Sequence, residues 1–204
     1  MHEREKMIYN LKDKYNTLYF LRLLTMDDLD ATISLCNKCV GENLYSEKEL
    51  KRAIEDPEHF FYLLMTEEQE IAGYIYYYVT DLQSVADYTK LDIKLYHNLK
   101  QGKTEKVCKI QSVAIGELYR GSDLSVDLID FALKRIKDIQ IQVEIVFGVC
   151  WKMGDYVPMK KTLCQCGFNF FSEAKRIWYD DTKLICPYCK GRCRCDAEVY
   201  YKCL

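Results

Sequence analysis

The sequence has little that would direct the chain to a membrane or to nucleic acid. No window approaches the roughly 18 apolar residues of a membrane-spanning helix, and residues 1–14 are charged where a signal peptide needs an apolar core. The charges nearly cancel, with 29 Lys and Arg against 31 Asp and Glu, which argues against a polyanion as the main partner. These absences predict a cytoplasmic protein with a small-molecule or peptide partner, no membrane and no nucleic acid.

Histidine is also scarce, and internal repeats and low-complexity tracts are absent. Of the three histidines, neither His59 nor His97 lies in a pattern that indicates chemistry, and His2 belongs to the charged N-terminus. The chain of 204 residues, 49% of them hydrophobic, is long enough for one domain to bury its own core without disulfides.

Cysteine, in contrast, is abundant, with 11 residues in the chain. Because disulfides rarely persist in a reducing compartment, clustered cysteines indicate metal binding. The segment CPYCKGRCRC places four thiols within ten residues, and C-P-x-C is the tight turn of zinc knuckles. We predict a structural zinc site in a tail over residues 181–204, with the ligands Cys186, Cys189, Cys193 and Cys195.

The choice of ligands stays open at this point. Cys164 and Cys166 can be brought close by folding, and Cys203 is a further candidate. Free thiols or a redox-active C-x-x-C pair are the alternatives to a metal. The basic residues from Lys190 to Arg194 would offset the charge of a four-thiolate site, and three such charges are a weak basis for binding nucleic acid.

Hydrophobic patterns predict an α/β fold. Capping boxes at Thr25 and Ser46 begin two helices after the first strand. Later in the chain a strand, a turn and an amphipathic helix lead to another buried strand, and the right-handed crossover of such a β-α-β unit makes its strands parallel. The predicted strands are residues 19–24, 60–65, 71–79, 107–115, 143–151 and 168–179, and residues 81–106 form a long insert.

The central strand-turn-helix unit contains the most informative motif. A strand ends in SVAI, and RGSDLS follows at the mouth of the helix. With the order of elements over about residues 19–180, this unit resembles the GNAT superfamily of N-acetyltransferases. The resemblance implies a mixed sheet with a central β-α-β cofactor unit, in which backbone N–H groups at the helix N-terminus bind the pyrophosphate of acetyl-CoA. The residues that it places at the cofactor are Val113, Ala114, Ile115, Arg120, Gly121, Ser122, Asp123, Leu124 and Ser125.

Three positions depart from the pattern of that superfamily. Asp123 and Ser125 stand at two small-residue positions, and Asp123 would bring a carboxylate close to a phosphate. Gly167-Phe168 matches the end of a helix that packs beside the cofactor thiol, but Leu163 stands where a tyrosine serves as general acid. Tyr156 is the nearest substitute for that role.

No general base can be assigned from the sequence. The third strand has Lys109, Gln111 and Ser112 but no carboxylate or histidine, and Glu105 and Glu117 lie in the loops on either side.

We therefore predict a polar leader (1–18), an acetyltransferase-like domain (19–180) and the cysteine-rich tail packed on it. The predicted activity is acyl transfer, of an acetyl group, from acetyl-CoA to an amine. A non-catalytic GNAT-fold binding module with a structural zinc lobe is the alternative, and a zinc-dependent nucleic-acid binder is the least supported reading. We expect the insert at residues 81–106 to lie beside the acceptor cleft and to matter more for binding than for stability.

Overall fold

The computed structural model describes residues 8–99, 106–138 and 143–204. The strands are β1 (Tyr9–Lys12), β2 (Leu18–Leu23), β3 (His59–Met65), β4 (Ile71–Asp81), β5 (Lys106–Ile115), β6 (Ile145–Lys152), β7 (Asn169–Ala174) and β8 (Asp196–Cys203). The helices are α1 (Leu29–Cys39), α2 (Glu47–Glu55), α3 (Leu82–Thr89), α4 (Ile93–His97), α5 (Leu124–Asp138) and α6 (Lys160–Gln165). No helix in these ranges is both long enough and apolar enough to cross a membrane.

The eight strands form one mixed sheet in the order β1-β2-β3-β4-β5-β6-β8-β7. Each neighbouring pair is antiparallel except β5 and β6, as the β-α-β pattern predicts. These two parallel strands pair only from Cys108 opposite Val146 to Ile110 opposite Gly148. Beyond that point they separate, and the sheet opens between them.

A bulge in β5 lies at the point of separation. Tyr77 of β4 pairs with Ile110, but Tyr76 pairs with Ser112, so Gln111 is the extra residue. A bulge bends its strand and increases the local twist, and bulges are frequent beside active sites. This one turns the end of β5 away from β6.

Side-chain alternation along β3 separates the two main cores. Because successive residues of a strand point to opposite faces, each face of the sheet receives every second residue. The face covered by α5 and α6 takes Phe60, Tyr62 and Leu64, and the face covered by α1 and α2 takes Phe61, Leu63 and Met65.

Local sequence signals explain where the helices begin. Ser46 accepts a hydrogen bond from the Glu49 backbone while Glu49 accepts one from the Ser46 backbone at 2.7 Å, which confirms the predicted capping box of α2. The box at Thr25 precedes a single 3₁₀ turn, and α1 itself begins at Leu29.

The ends of the chain lie differently from the prediction. Residues 9–12 of the predicted leader form β1, which pairs with β2. Residues 196–203 of the predicted tail form β8, which pairs with β6 and β7 inside the sheet. The cysteine-rich segment therefore connects β7 to β8, because the residues after it form a strand of the sheet.

The insert at residues 81–106 was expected to lie beside the cleft and to matter more for binding than for stability, but part of it is built into a core. Its residues 100–105, including Glu105, lie outside the described residues. The remainder contains α3 and α4, whose Leu82, Val85 and Tyr96 are buried in a third core with Phe147 of β6. Shortening this segment would remove core side chains, so its effect on stability is expected to be large.

Candidate functional site

The separation of β5 and β6 opens a cleft of about 740 Å³. Its walls come from both strands, the N-terminus of α5, the α1–α2 connection, α3, and the connection between β7 and β8. All of the residues that the sequence assigned to the cofactor line this cleft except Ser122, which is buried and donates its hydroxyl to the Tyr119 carbonyl at 2.9 Å.

The loop of residues 120–125 presents backbone donors at the cleft. Gly121 has φ +84° and Asp123 has φ +60°, which turns the chain sharply before α5 begins at Leu124. Within the described chain, the backbone N–H groups from Gly121 to Ser125 donate to no acceptor. Free N–H groups at the start of a 15-residue helix favour an anion through hydrogen bonding and the helix dipole.

Asp123 is the negative charge in this loop. Its carboxylate forms an exposed ion pair with Lys14 at 3.3 Å. A left-handed conformation at this position explains why a small residue would fit well, since aspartate pays a conformational cost there and glycine does not. The hydroxyl of Ser125, the second residue of α5, lies 3.4 Å from the Thr162 hydroxyl of α6.

Tyr156 and Leu163 occupy different environments. Leu163 is buried and packs on the backbone of Gly148, where an added methyl group would approach its side chain to 3.3 Å. Tyr156 lines the cleft, is 56% exposed, and is held by two backbone hydrogen bonds with Met153. Its hydroxyl is therefore available to a ligand, whereas position 163 belongs to the core.

The bulge brings a second polar pair into the cleft that sequence reasoning missed. The Tyr45 hydroxyl lies 2.6 Å from the Ser112 hydroxyl, although the two residues are far apart in the chain. Burial raises the pKa of Tyr45 well above its ordinary value, so the phenol stays protonated. Tyr45 directly precedes the capping box at Ser46, but nothing in that local signal indicates a partner on β5.

Lys109 is a buried amine next to the cleft. Its Nζ lies 3.6 Å from the ring centroid of Tyr88 and bonds to the side chain of Gln111, and both of these neighbours line the cleft. Only 1% of Lys109 is exposed. Burial lowers its pKa to about 7, because no carboxylate in the described chain pairs with it.

The four predicted zinc ligands come together at the β7–β8 connection. The sulfur atoms of Cys186, Cys189, Cys193 and Cys195 all lie within 4.8 Å of one another. Cys164, Cys166 and Cys203, which the sequence left as alternatives, are not part of this group. We call residues 186–195 the cysteine loop.

The geometry of the cysteine loop fits a tetrahedral metal. Zn–S bonds of about 2.3 Å place sulfur atoms about 3.8 Å apart in a tetrahedron, and Cys195 lies 3.8 Å from Cys186 and 3.6 Å from Cys189. The Arg194 backbone N–H donates to the Cys189 sulfur at 3.3 Å and lowers the pKa of that thiol. Burial raises the pKa of Cys193 to about 12, so a nearby cation is needed to form all four thiolates.

Comparisons with known proteins agree with this architecture. No family model and no curated protein matches the chain by sequence. Among solved structures, Arabidopsis thaliana NAA60 in complex with acetyl-CoA superposes with a TM-score of 0.66 at 12% identity, over 91% of this chain and 99% of that one. The Escherichia coli ribosomal-protein-S18-alanine N-acetyltransferase gives 0.60 at 12% identity, over 91% and 93% of the two chains. The Vibrio cholerae spermidine N-acetyltransferase gives 0.59 at 15% identity, over the same shares. The chain therefore has the fold of the GNAT N-acetyltransferases.

Proposed function

We propose that this protein is an N-acetyltransferase that transfers an acetyl group from acetyl-CoA to an amine. The observation that supports this most strongly is the cleft itself, which opens where β5 and β6 separate and ends at the unpaired N–H groups from Gly121 to Ser125. A linear arm that extends from a diphosphate, such as the pantetheine arm of acetyl-CoA, would match that arrangement. NAA60, which has the same fold, was solved with acetyl-CoA.

The reaction that fits this site is direct transfer within a ternary complex. The neutral amine attacks the thioester carbonyl, a C–N bond forms, the C–S bond breaks, and the leaving thiolate takes up a proton. Tyr156 is our candidate donor of that proton, because its hydroxyl is exposed in the cleft. The cleft-facing part of β5 carries no carboxylate, but Glu49 and Asp181 line the cleft from other segments. In this proposal the proton lost by the amine passes to one of these carboxylates or to water.

Zinc has a structural role in this proposal. Four cysteine ligands leave no open coordination position, which is the pattern of a site that holds a loop and not of one that activates water. We assign Cys186, Cys189, Cys193 and Cys195 as the ligands on the spacing of their sulfur atoms.

A non-catalytic binding module is the second candidate. The departures at Asp123, Ser125 and Leu163 favour it, since they alter the loop that would bind phosphate and remove the tyrosine expected in the superfamily. The two candidates share the fold and the cleft and differ in turnover.

Calorimetric titration with acetyl-CoA and free CoA, followed by a thiol-release assay with a panel of primary amines, separates the candidates. Saturable binding with amine-dependent release of CoA is the result expected for the enzyme. Binding without release would establish the binding module instead. If neither acetyl-CoA nor CoA binds, the acetyltransferase proposal fails, and a non-catalytic module whose cofactor site has decayed is favoured.

A further inference from the structure

Part of the cleft is lined by aromatic rings from the end of β6 and from two places in the β7–β8 connection. Trp151 at the end of β6 packs edge-on against Trp178, with ring centroids 5.4 Å apart, and against Tyr188 of the cysteine loop at 6.0 Å. All three residues line the cleft, and we call them the aromatic wall. The Trp178 indole donates to the Tyr88 hydroxyl at 2.9 Å, whereas the buried Trp151 Nε1 has no acceptor in the described chain.

The cysteine loop builds part of this wall directly. Pro187 and Tyr188 lie between the first two cysteines of the cluster, and both line the cleft. Their backbone is fixed by the turn in which Cys186 donates to the Gly191 carbonyl at 2.9 Å and Lys190 donates to the Cys186 carbonyl at 2.9 Å. The position of the Tyr188 ring therefore depends on the loop conformation that brings the four cysteine sulfur atoms together.

The segment just before the cysteine loop docks on the opposite side of the cleft. Ile185 donates to the Glu42 carbonyl at 3.0 Å, and the Asn43 amide donates to the Lys183 carbonyl at 3.2 Å. Glu42 and Asn43 belong to the α1–α2 connection, which also carries Tyr45 into the cleft. The segment before the cysteine loop is thus joined to the α1–α2 connection, and both contribute to the lining of the cleft.

Outside the 120–125 loop, the charged side chains that line the cleft in the described chain are of one sign. They are Glu49 and Asp181, whereas that loop contributes Arg120 and Asp123. Asp181 accepts the backbone N–H groups of Lys183 and Leu184 through Oδ1, at 3.0 and 3.2 Å, which leaves Oδ2 without a partner among the described residues. Carboxylates and tryptophan and tyrosine rings that line one cleft form an environment that attracts a cation.

We propose that the aromatic wall, with Asp181 and Glu49, binds a cationic amine as the acceptor, and that metal bound to the four cysteines holds Tyr188 in this wall. Metal binding is then required for the acceptor half of the cleft and not for the half at the 120–125 loop. The role of the amine as an acceptor rests on the proposed acetyltransferase function. Binding of the amine at this site does not depend on that function.

Intrinsic fluorescence reports on this site alone, because Trp151 and Trp178 are the two tryptophans of the chain. The zinc-loaded protein is titrated, with and without free CoA, with phenethylamine, 1,8-diaminooctane and a tetrapeptide with a free N-terminus. Phenethyl alcohol, 1,8-octanediol and the N-acetylated peptide are the neutral partners of these probes. For at least one amine, we expect the fluorescence change to reach half of its maximum at a concentration about tenfold or more below that of its neutral partner. A cation–π site with carboxylates requires this preference for the charged probe. Equal responses within every pair would overturn the proposal.

Two variants test the metal-held ring. Tyr188→Ala keeps the four cysteines and is expected to weaken amine binding about tenfold without loss of zinc. Tyr179→Ala is its matched control, because Tyr179 lies in the same connection but does not line the cleft. Unchanged amine binding in Tyr188→Ala, or an equal loss in both variants, would exclude Tyr188 from the site.

The coupling to metal is tested with Cys189→Ser against Cys203→Ser, which removes an exposed thiol outside the cluster. We expect Cys189→Ser to lose zinc and amine binding while the dissociation constant of acetyl-CoA changes by less than about twofold. Parallel loss of both ligands would mean that the metal supports the whole domain, which contradicts the proposal. Failure of acetyl-CoA binding in the wild type would sink the acetyltransferase function but leave the amine titrations interpretable.

Discussion

Lys109 lies in the middle of β5, with its nitrogen against the face of Tyr88 and close to the Gln111 side chain. A buried lysine without a carboxylate partner favours the neutral amine, and this explains a pKa of about 7 in the folded protein. In the unfolded chain the pKa of Lys109 is that of an ordinary lysine, about 10.4. Between these two values the unfolded state binds one proton more than the folded state, so Lys109 makes stability rise with pH across this window.

Replacing Lys109 with methionine should remove that contribution. We expect Lys109→Met to raise the free energy of unfolding relative to wild type by roughly 2–4 kcal/mol at pH 7, with the advantage shrinking toward pH 10. Urea denaturation at both pH values measures it, and Lys134→Met on the exposed face of α5 is the control. A difference between Lys109→Met and wild type that is the same at both pH values would show that Lys109 keeps its charge in the folded state.

Asp123 is the second residue with a decisive environment, because its carboxylate lies in the loop proposed to bind phosphate. The ion pair with Lys14 neutralises part of its charge, although exposed pairs of this kind contribute little. Asparagine has nearly the same size and tolerates the positive φ of this position, so Asp123→Asn removes the charge alone.

We expect Asp123→Asn to bind acetyl-CoA about three- to tenfold more tightly than wild type at low salt, and the gain to shrink at high salt as charges are screened. Lys14→Ala should weaken binding, because it leaves the carboxylate uncompensated. Calorimetric titrations at two salt concentrations measure both effects. Equal affinity of Asp123→Asn and wild type at both concentrations would mean that the carboxylate points away from the ligand.

At the scale of elements, the connection between β7 and β8 carries the cysteine loop. Its four sulfur atoms come from one short segment, so the C-P-x-C turn and the next two cysteines form the ligand set with few long-range contacts. Three of the four cysteines are buried, and without a cation burial favours the protonated form of their thiols. Metal binding at this proposed site would therefore release protons and contribute to folding.

Purified protein should contain about one zinc per chain, and a strong chelator should lower its melting temperature. Because protons compete with the metal for the thiolates, zinc should dissociate at a higher pH from Cys189→Ser than from wild type. Elemental analysis and thermal melts in the presence of reductant measure these effects, with Cys203→Ser as the thiol control. Four freely titrating thiols in reduced protein without zinc would refute the site.

At the scale of the whole molecule, strands from both ends of the described chain join the sheet. The outer strand β1 pairs with β2, whereas β8 lies between β6 and β7 and is largely buried. Val199 and Tyr200 are fully buried on opposite faces, one in each of two cores. The segment after the cysteine loop is thus required for the core and not an appendage.

A chain that ends at residue 180 should therefore fail to fold cooperatively, because β6 and β7 lose the strand between them. Replacing residues 187–194 with a short Gly-Ser linker keeps β8 and should retain the folded sheet, though without metal. Circular dichroism and thermal melts compare the two proteins. Native-like melting of the truncated chain would show that β8 is dispensable.

Several local features of this protein follow from the sequence by itself. The capping box at Ser46, the alternation in β3 and the C-P-x-C turn depend on residues close together in the chain, so their geometry is fixed by short-range hydrogen bonds and side-chain period. The parallel pairing of β5 and β6 also follows, because a crossover helix of this length permits little else. The GNAT fold and the role of the 120–125 loop were predicted from the resemblance of the SVAI and RGSDLS motifs, together with the order of the elements, to the GNAT superfamily.

Only the tertiary structure decided how distant segments meet. Three examples are the place of β8 between β6 and β7, the Tyr45–Ser112 contact and the Lys109–Tyr88 contact. In each of them, the local sequence around one residue does not indicate its distant partner. The same holds for Tyr188, which the sequence marks only as a residue between two cysteines and which the fold carries into the cleft. Such pairings depend on the summed burial and hydrogen bonding of the whole sheet, which no short stretch of sequence contains.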